Sequence, residues 1–296
     1  MKNALIRLHT AVFLWGFTGV LGRAISLNEG WLVWWRMFIT VVSLWIFFYV
    51  TGQIRKISFA QFLKIASIGT VLSLHWLTFY GSIKYANVSI ALTCLSTTGL
   101  LSAFIEPLFF RRRVNMYEII LGAFALIGIA LIYVTNLTYS TGIYVGLISA
   151  LLTVLVSVMN KKLIIGFQPE SITLYQLTGG FIGISILMPF YDLIFPSIQK
   201  IPQHYDWLWL LILSWCCTIL TFLLYIKALK KVSAFTVNLT LTLEPVYGII
   251  LAFIIYHENK SLSKYFFLGF GLILIAVCLQ MVRMIKEHRK MSPDPL

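Results

Sequence analysis

The run Met116-Tyr-Glu-Ile-Ile-Leu-Gly-Ala-Phe-Ala-Leu-Ile-Gly-Ile-Ala-Leu-Ile-Tyr-Val-Thr135 is twenty residues long and carries one charge, Glu118. About twenty apolar residues, rising helically, cover the hydrocarbon core of a bilayer. Arg111, Arg112 and Arg113 precede the run and Asn136 follows it, so both ends are polar. Comparable runs lie on either side, at about 8–27, 31–50, 61–83, 87–110, 140–160, 171–194, 207–229, 232–256 and 264–284. The chain therefore reads as an all-α polytopic membrane protein of about ten transmembrane helices. These spans and their short connections use nearly all of the chain and leave no room for a soluble domain.

Composition agrees. Of the 296 residues, 59% are hydrophobic and 11% charged, with a mean hydropathy of +0.90. Soluble domains run near ~45–50% apolar and ~25% charged. A water-bounded core cannot absorb that difference, so lipid is the solvent for much of the surface. Cys94, Cys216, Cys217 and Cys278 all lie in apolar runs, with no metal-ligand spacing and no disulfide framework. No metal or other cofactor is expected.

The formal net charge of +13 raises the question of nucleic acid. Its distribution answers it. With the N-terminus inside, Lys2, Arg7, Arg55, Lys56, Lys64, Arg111–Arg113, Lys161, Lys162, Lys227, Lys230, Lys231 and the basic C-terminal tail fall on the cytoplasmic side. Arg23, Lys84, Lys200, Lys260 and Lys264 fall outside. Such a bias sets orientation and contacts anionic lipid, with no nucleic-acid footprint needed. The expectation is a bacterial inner-membrane protein with both termini cytoplasmic. The first run lacks a small-x-small cleavage site before Arg23 and reads as a retained helix. Trp31, Trp34, Trp207 and Trp209 cluster near span ends, as an interfacial belt requires.

The chain also carries a weak internal repeat. Tyr80-Gly-Ser-Ile-Lys84 with Val88-Ser89 is similar to Tyr225-Ile-Lys227 with Val232-Ser-Ala234, and Leu121-Gly122 matches Leu268-Gly269. Two five-helix copies follow, residues 1–137 and 138–296. Five is odd, so the second copy is inverted, and inverted repeats mark secondary transporters with a site between the halves.

The second half reads Val232-Ser-Ala-Phe-Thr-Val-Asn-Leu-Thr-Leu-Thr-Leu-Glu244-Pro245-Val-Tyr-Gly248, then Tyr256-His-Glu258, then Gly269-Phe-Gly271. It resembles the EamA-like family of the drug/metabolite transporter superfamily. That family shows a mid-helix proline, a glutamate at the far helix end and a glycine-rich last helix, matched here by Pro245, Glu258 and Gly269. Trp15-Gly16 in the first run and Arg36 in the second are similar too. The fourth run departs from the pattern: Thr98-Gly99 stands near the expected proline, and Arg111–Arg113 stand at the expected helix-end glutamate, with Glu106-Pro107 before them. The resemblance implies the fold and a transport function, and no particular substrate.

Ionisable groups inside spans are functional candidates by default. Glu244 shares a helical stripe with Thr236, Thr240 and Tyr247, while Asn238 and Thr242 lie nearly opposite. A helix polar on two sides belongs in the centre. Glu244 reads as a cavity carboxylate for a cation or proton; the competing reading is a carboxylate that hydrogen-bonds neighbouring helices. His75 with Trp76 and Tyr80 reads either as a titratable aromatic wall or as a packed histidine. Arg36 pairs with Glu106 or Glu244, or snorkels outward. Glu106 reads as a gate or ion-pair residue near Arg111–Arg113. The candidate substrate residues are therefore Trp15, Arg36, His75, Trp76, Tyr80, Asn238, Thr240, Glu244 and Tyr247, with Glu244 and His75 as candidate proton carriers. Gly16, Gly19, Gly22, Gly179, Gly180 and Gly183 read as close helix packing.

Enzyme signatures are missing. His257-Glu258 begins a zinc-protease pattern, but Ser261 stands where the second histidine belongs. No phosphate loop is present, so ATP is not the direct drive. The sequence points to a secondary transporter of a small metabolite or amino-acid-like compound, acting by alternating access with export as the expected direction, either proton-coupled or a facilitated exchanger. Its partners are the small-molecule substrate and the bilayer, as monomer or homodimer. The competing class is an intramembrane enzyme or a lipid-handling membrane protein.

Overall fold

A computed structural model of the chain describes residues 2–110, 116–135, 137–163, 167–229, 240–241 and 243–291. It is all-helical, with 87% helix and no strand among the described residues. The helices are α1 (Lys2–Ala24), α2 (Glu29–Val50), α3 (Phe59–Tyr85), α4 (Val88–Ser96), α5 (Thr98–Phe110), α6 (Met116–Thr135), α7 (Ser140–Leu163), α8 (Pro169–Ile194), α9 (Asp206–Ser214), α10 (Thr221–Leu229), α11 (Glu244–Tyr256) and α12 (Lys264–Met291).

Among the described residues, six helical runs are long and apolar enough to cross a membrane: those of α1, α2, α3, α7 and α8, and the continuous run Asp206–Tyr225. The run Val88–Phe110, which holds α4 and α5 and bends within α5, makes a seventh. Ile119–Thr135, Glu244–Tyr256 and Lys264–Leu279 are shorter apolar helices. Each apolar run read from the sequence thus holds helix, and the helices in the 116–135 and 264–284 runs cover their expected bounds. In the 232–256 run the described residues hold helix at Thr240 and Leu241, and then α11 from Glu244.

Local chemistry explains starts and bends. Asn28 and Asn87 accept the backbone N–H of Trp31 and Ile90 at 2.9 and 2.8 Å, and Ser58 with Gln61 forms a reciprocal cap on α3. The α4–α5 run bends by 41° between Ser102 and Phe104. Pro107 lies four residues beyond the break at 103, where its missing N–H and its ring oppose a regular turn.

Helix α3 runs through the middle, packed along α7 and α8; α1 packs on α10 and α11, α2 on α8, and α6 on α12. Small residues allow the close crossings. A side chain at Gly180 would lie 2.6 Å from the Gly69 carbonyl, and one at Gly69 would overlap the Gln176 carbonyl. Gly128 and Gly269 meet the same way, each facing the other's carbonyl oxygen. Without a hydrophobic drive between helices in lipid, such contacts carry the packing. The outward faces stay apolar: Ile46, Leu126, Ile186 and Ile254 are each at least 60% exposed. In water that surface would aggregate; in a bilayer it is the solvated face.

Candidate functional site

Inside this bundle α2 carries Arg36, which is 3% exposed. Its Nη1 donates to the Tyr80 hydroxyl at 2.7 Å, and its Nε and Nη2 donate to Thr218 Oγ1 at 3.3 and 3.0 Å. The guanidinium carbon lies 3.8 Å from the centre of the Trp76 ring. Trp76 and Tyr80 are one turn apart on α3, so both reach the same cation. Thr218 comes from Trp215–Leu220, a π-helical segment between α9 and α10. Its hydroxyl donates to the Leu213 carbonyl, five residues back, at 2.9 Å, leaving its lone pairs for Arg36. The Ser214 hydroxyl donates to the Arg36 carbonyl at 3.1 Å, which ties α2 to the same segment.

A charge held within a span is costly unless it is hydrogen-bonded and compensated. Among the described residues no carboxylate lies within ion-pair distance of Arg36: Glu258 pairs with Arg23, Glu106 with Lys161 at 3.3 Å, and Asp192 with Lys200. Glu244 is the acid that the Arg36 charge acts on, and Tyr80 feels both. The pair of expected contacts Arg36–Glu106 and Arg36–Glu244 therefore resolves into neither direct bridge. Arg36 is solvated by Tyr80, Thr218 and Trp76, with Glu244 acting on it from beyond contact.

Glu244 is the first residue of α11, capped by Leu243, and Pro245 follows in the first turn. Helical Thr240 and Leu241 come before it in the same apolar run. In the first turn Pro lacks only an N–H that has no partner in the helix anyway. A helix N-terminus also favours negative charge, so the backbone itself supports the carboxylate. Thr240 is buried, and Tyr247 packs edge-on against Phe13 with ring centres 5.6 Å apart. Trp15 packs against Phe222 and Tyr225 at 6.0 and 5.5 Å, in a small apolar cluster that also holds Tyr247 and Leu243. Asn238, Thr236 and Thr242 lie outside the described residues, as do Arg111–Arg113.

The structure separates His75 from Trp76 and Tyr80. His75 Nδ1 lies 3.0 Å from the Ser149 carbonyl, 2.9 Å from Ser149 Oγ and 2.8 Å from Thr153 Oγ1. It is fastened to α7, with Phe79 stacked on its ring. Glu106 stands near the other end of the bundle with Lys161.

A second polar constellation lies where α1 ends. Glu258, 3% exposed, accepts the backbone N–H groups of Val88 and Ser89 at 3.0 and 2.8 Å, accepts the Ser89 hydroxyl, and pairs with Arg23. Arg23 also lies over the Tyr256 ring at 4.4 Å, and the Tyr256 hydroxyl donates to the Val20 carbonyl at 2.8 Å. One carboxylate thus joins the ends of α1 and α11 to the start of α4. Sequence reading named Glu258 through the family resemblance and an incomplete zinc-protease pattern, and passed over Ser214 and Thr218. Both lie in the uniform apolar stretch Leu210–Leu220, where nothing announces a wide turn.

Long apolar helices around a buried cation and a carboxylate that acts on it define a polytopic membrane protein with a polar interior. The model of the EamA-like transporter family matches residues 3–134 and 140–282, and the chain belongs to that family, whose members are transporters. It is similar to an uncharacterized transporter of Haemophilus influenzae, 26% identical over 248 residues that span 79% of this chain and 78% of the other. It is also similar to the uncharacterized transporter YxxF of Bacillus subtilis, 23% identical over 290 residues, 95% of this chain and 90% of the other. A solved crystal structure, 14% identical, superposes with a TM-score of 0.61 over 96% of this chain and 98% of its own, and so shares the fold.

Proposed function

We propose that this membrane transporter is a secondary transporter of a small metabolite or amino-acid-like compound, built as two inverted five-helix halves, residues 1–137 and 138–296. It works by alternating access, in the export direction across the bacterial inner membrane, with both termini cytoplasmic. The observation that carries this reading is the buried Arg36 guanidinium, solvated by Tyr80, Thr218 and Trp76 and acted on by Glu244. Opposed charges inside spans bind a polar solute or a coupling ion; a structural pair would sit in direct contact.

Packing supports the two halves. If the halves match helix for helix, α3 in the first corresponds to the α9–α10 run in the second, and α1 to α7. Then α3 on α7 and α8 is mirrored by the α9–α10 run on α1 and α2, and α1 on α11 by α7 on α4 and α5. The family model also meets the chain in two stretches that part near residue 137. Orientation is supported by Glu29, Asp192, Asp206 and Glu258, which gather with Arg23 at one end, whereas Arg55, Lys56, Lys161 and Lys162 lie at the other.

In this cycle Glu244 carries the proton, because His75 Nδ1 is already bound into α7. The Glu258 joint closes the outer end and parts when that end opens. The test is flux. Proteoliposomes loaded with a bacterial metabolite pool, with the released fraction read by mass spectrometry, should release a protein-dependent subset of small polar compounds. Release matching that of protein-free liposomes would overturn the reading.

A further inference from the structure

The Arg36 guanidinium has five N–H donors. Thr218 takes two and Tyr80 one. One N–H on each terminal nitrogen is not used by any described residue. Two such donors in one plane form the fork that grips two oxygens of a carboxylate or similar anion.

The fork is useful only if the plane is held. Three contacts hold it. Trp76 stacks beneath at 3.8 Å. Tyr80 fixes the Nη1 side at 2.7 Å. Thr218 bridges Nε and Nη2, and its own hydrogen is committed to the Leu213 carbonyl at 2.9 Å. That commitment makes Thr218 an obligatory acceptor towards Arg36. It depends on the π-helical winding of Trp215–Leu220, which aligns a hydroxyl with the carbonyl five residues back. Wide turns of this kind are rare and recur at functional sites. The Ser214 hydroxyl on the Arg36 carbonyl binds the same turn to α2, so side chain and backbone are held by one segment.

We infer that Thr218 is a positioning residue: the wide turn between α9 and α10 holds Arg36 so that its two remaining N–H groups receive a two-oxygen acidic group on the substrate. This rests on the Arg36 cluster being the substrate site. It adds the chemical class, a carboxylate or a similar planar anion, and the residue that sets the preference for it.

The test uses the full chain purified in detergent, with benzoate and its uncharged isostere benzamide as probes, read by thermal stabilisation across a concentration series. An aromatic probe suits Trp76, whose ring stacks on the guanidinium. Wild-type protein should bind benzoate more tightly than benzamide. Thr218→Val should reduce that preference by about tenfold, the scale of one hydrogen bond to a charged group. Benzamide binding should stay the same, and Thr218→Ser, which keeps the hydroxyl, should restore the preference. Thr218→Ala reads the same ratio if the valine variant does not fold. Equal responses to both probes in the wild type, including no response to either, would overturn the acidic-group assignment. A wild-type ratio in a hydroxyl-less variant would overturn the role of Thr218. So would failure of both the valine and alanine variants to fold while the serine variant folds, since that makes Thr218 structural. The readout is binding, so a protein that prefers benzoate yet moves nothing across liposomes would defeat the transport reading and leave this inference standing.

Discussion

Glu244 and His75 look alike from the sequence: each is an ionisable group within an apolar run. Their surroundings divide them. Glu244 opens α11, where the helix terminus supports its charge, and it lies in the field of Arg36. A proton arriving there changes the charge balance of the Arg36 site. Glu244→Gln keeps the shape and fixes the neutral form, so the purified variant should fold and bind substrate while its transport loses dependence on pH. A fluorimetric flux assay across a pH series checks this, and an unchanged pH profile would remove Glu244 from coupling. His75 meets two hydroxyls and a carbonyl of α7. His75→Ala removes the side-chain hydrogen bond that ties α3 to these groups of α7, at a cost of about 0.5–1.5 kcal/mol. It should lower the melting temperature and leave the pH profile of transport as it was. A shifted profile would make His75 part of the proton path.

At the scale of elements, the crossing of α3 and α8 is set by backbone approaching backbone. Gly69 and Gly180 face each other with no space for a Cβ, and Gly179 lies equally close to Ala66. Gly180→Leu must push α8 off α3 along a shared face, and overpacking of this kind costs about 1–3 kcal/mol or more. The expected result is a marked fall in thermal stability, read by size-exclusion chromatography after heating. Gly271, which has open space at its Cβ position, is the control and should accept alanine without loss. Stability of Gly180→Leu equal to wild type would mean that the two helices can separate freely. The close-packing reading of Gly179, Gly180 and Gly183 needed only their spacing. The partners, Ala66, Gly69 and Thr70, came from the fold.

For the molecule as a whole, two predictions concern sidedness and closure. On the proposed orientation, reporter tags before Met1 and after Leu296 should both read as cytoplasmic. A C-terminal tag found outside would break the even number of crossings. The Glu258 joint ties α1, α4 and α11 at the opposite end. Alternating access requires it to open. With the four native cysteines replaced, Arg23→Cys and Glu258→Cys joined by a short thiol crosslinker should stop flux, and a reducible linker should restore it on cleavage. Undiminished flux through the crosslinked protein would show that this end does not open during transport.

Hydropathy is a local sum, so the sequence by itself determined where the chain must lie in lipid, that it is all-helical, and which polar groups are out of place there. Trp15-Gly16, Arg36, Pro245, Glu258 and Gly269 were enough to indicate the family. Contacts are different in kind. Which residue faces Arg36 depends on how each helix is rotated about its axis, and that rotation is settled by packing between segments far apart in the chain. Only the tertiary structure could turn His75 towards α7 while Trp76 and Tyr80, its near neighbours, turn towards Arg36. Only it could start α11 at Glu244 and put Pro245 in the first turn. The wide turn at Trp215–Leu220 is the clearest case: its residues read as ordinary apolar helix, and its winding sets the Thr218 hydroxyl between a carbonyl of its own helix and a guanidinium on α2.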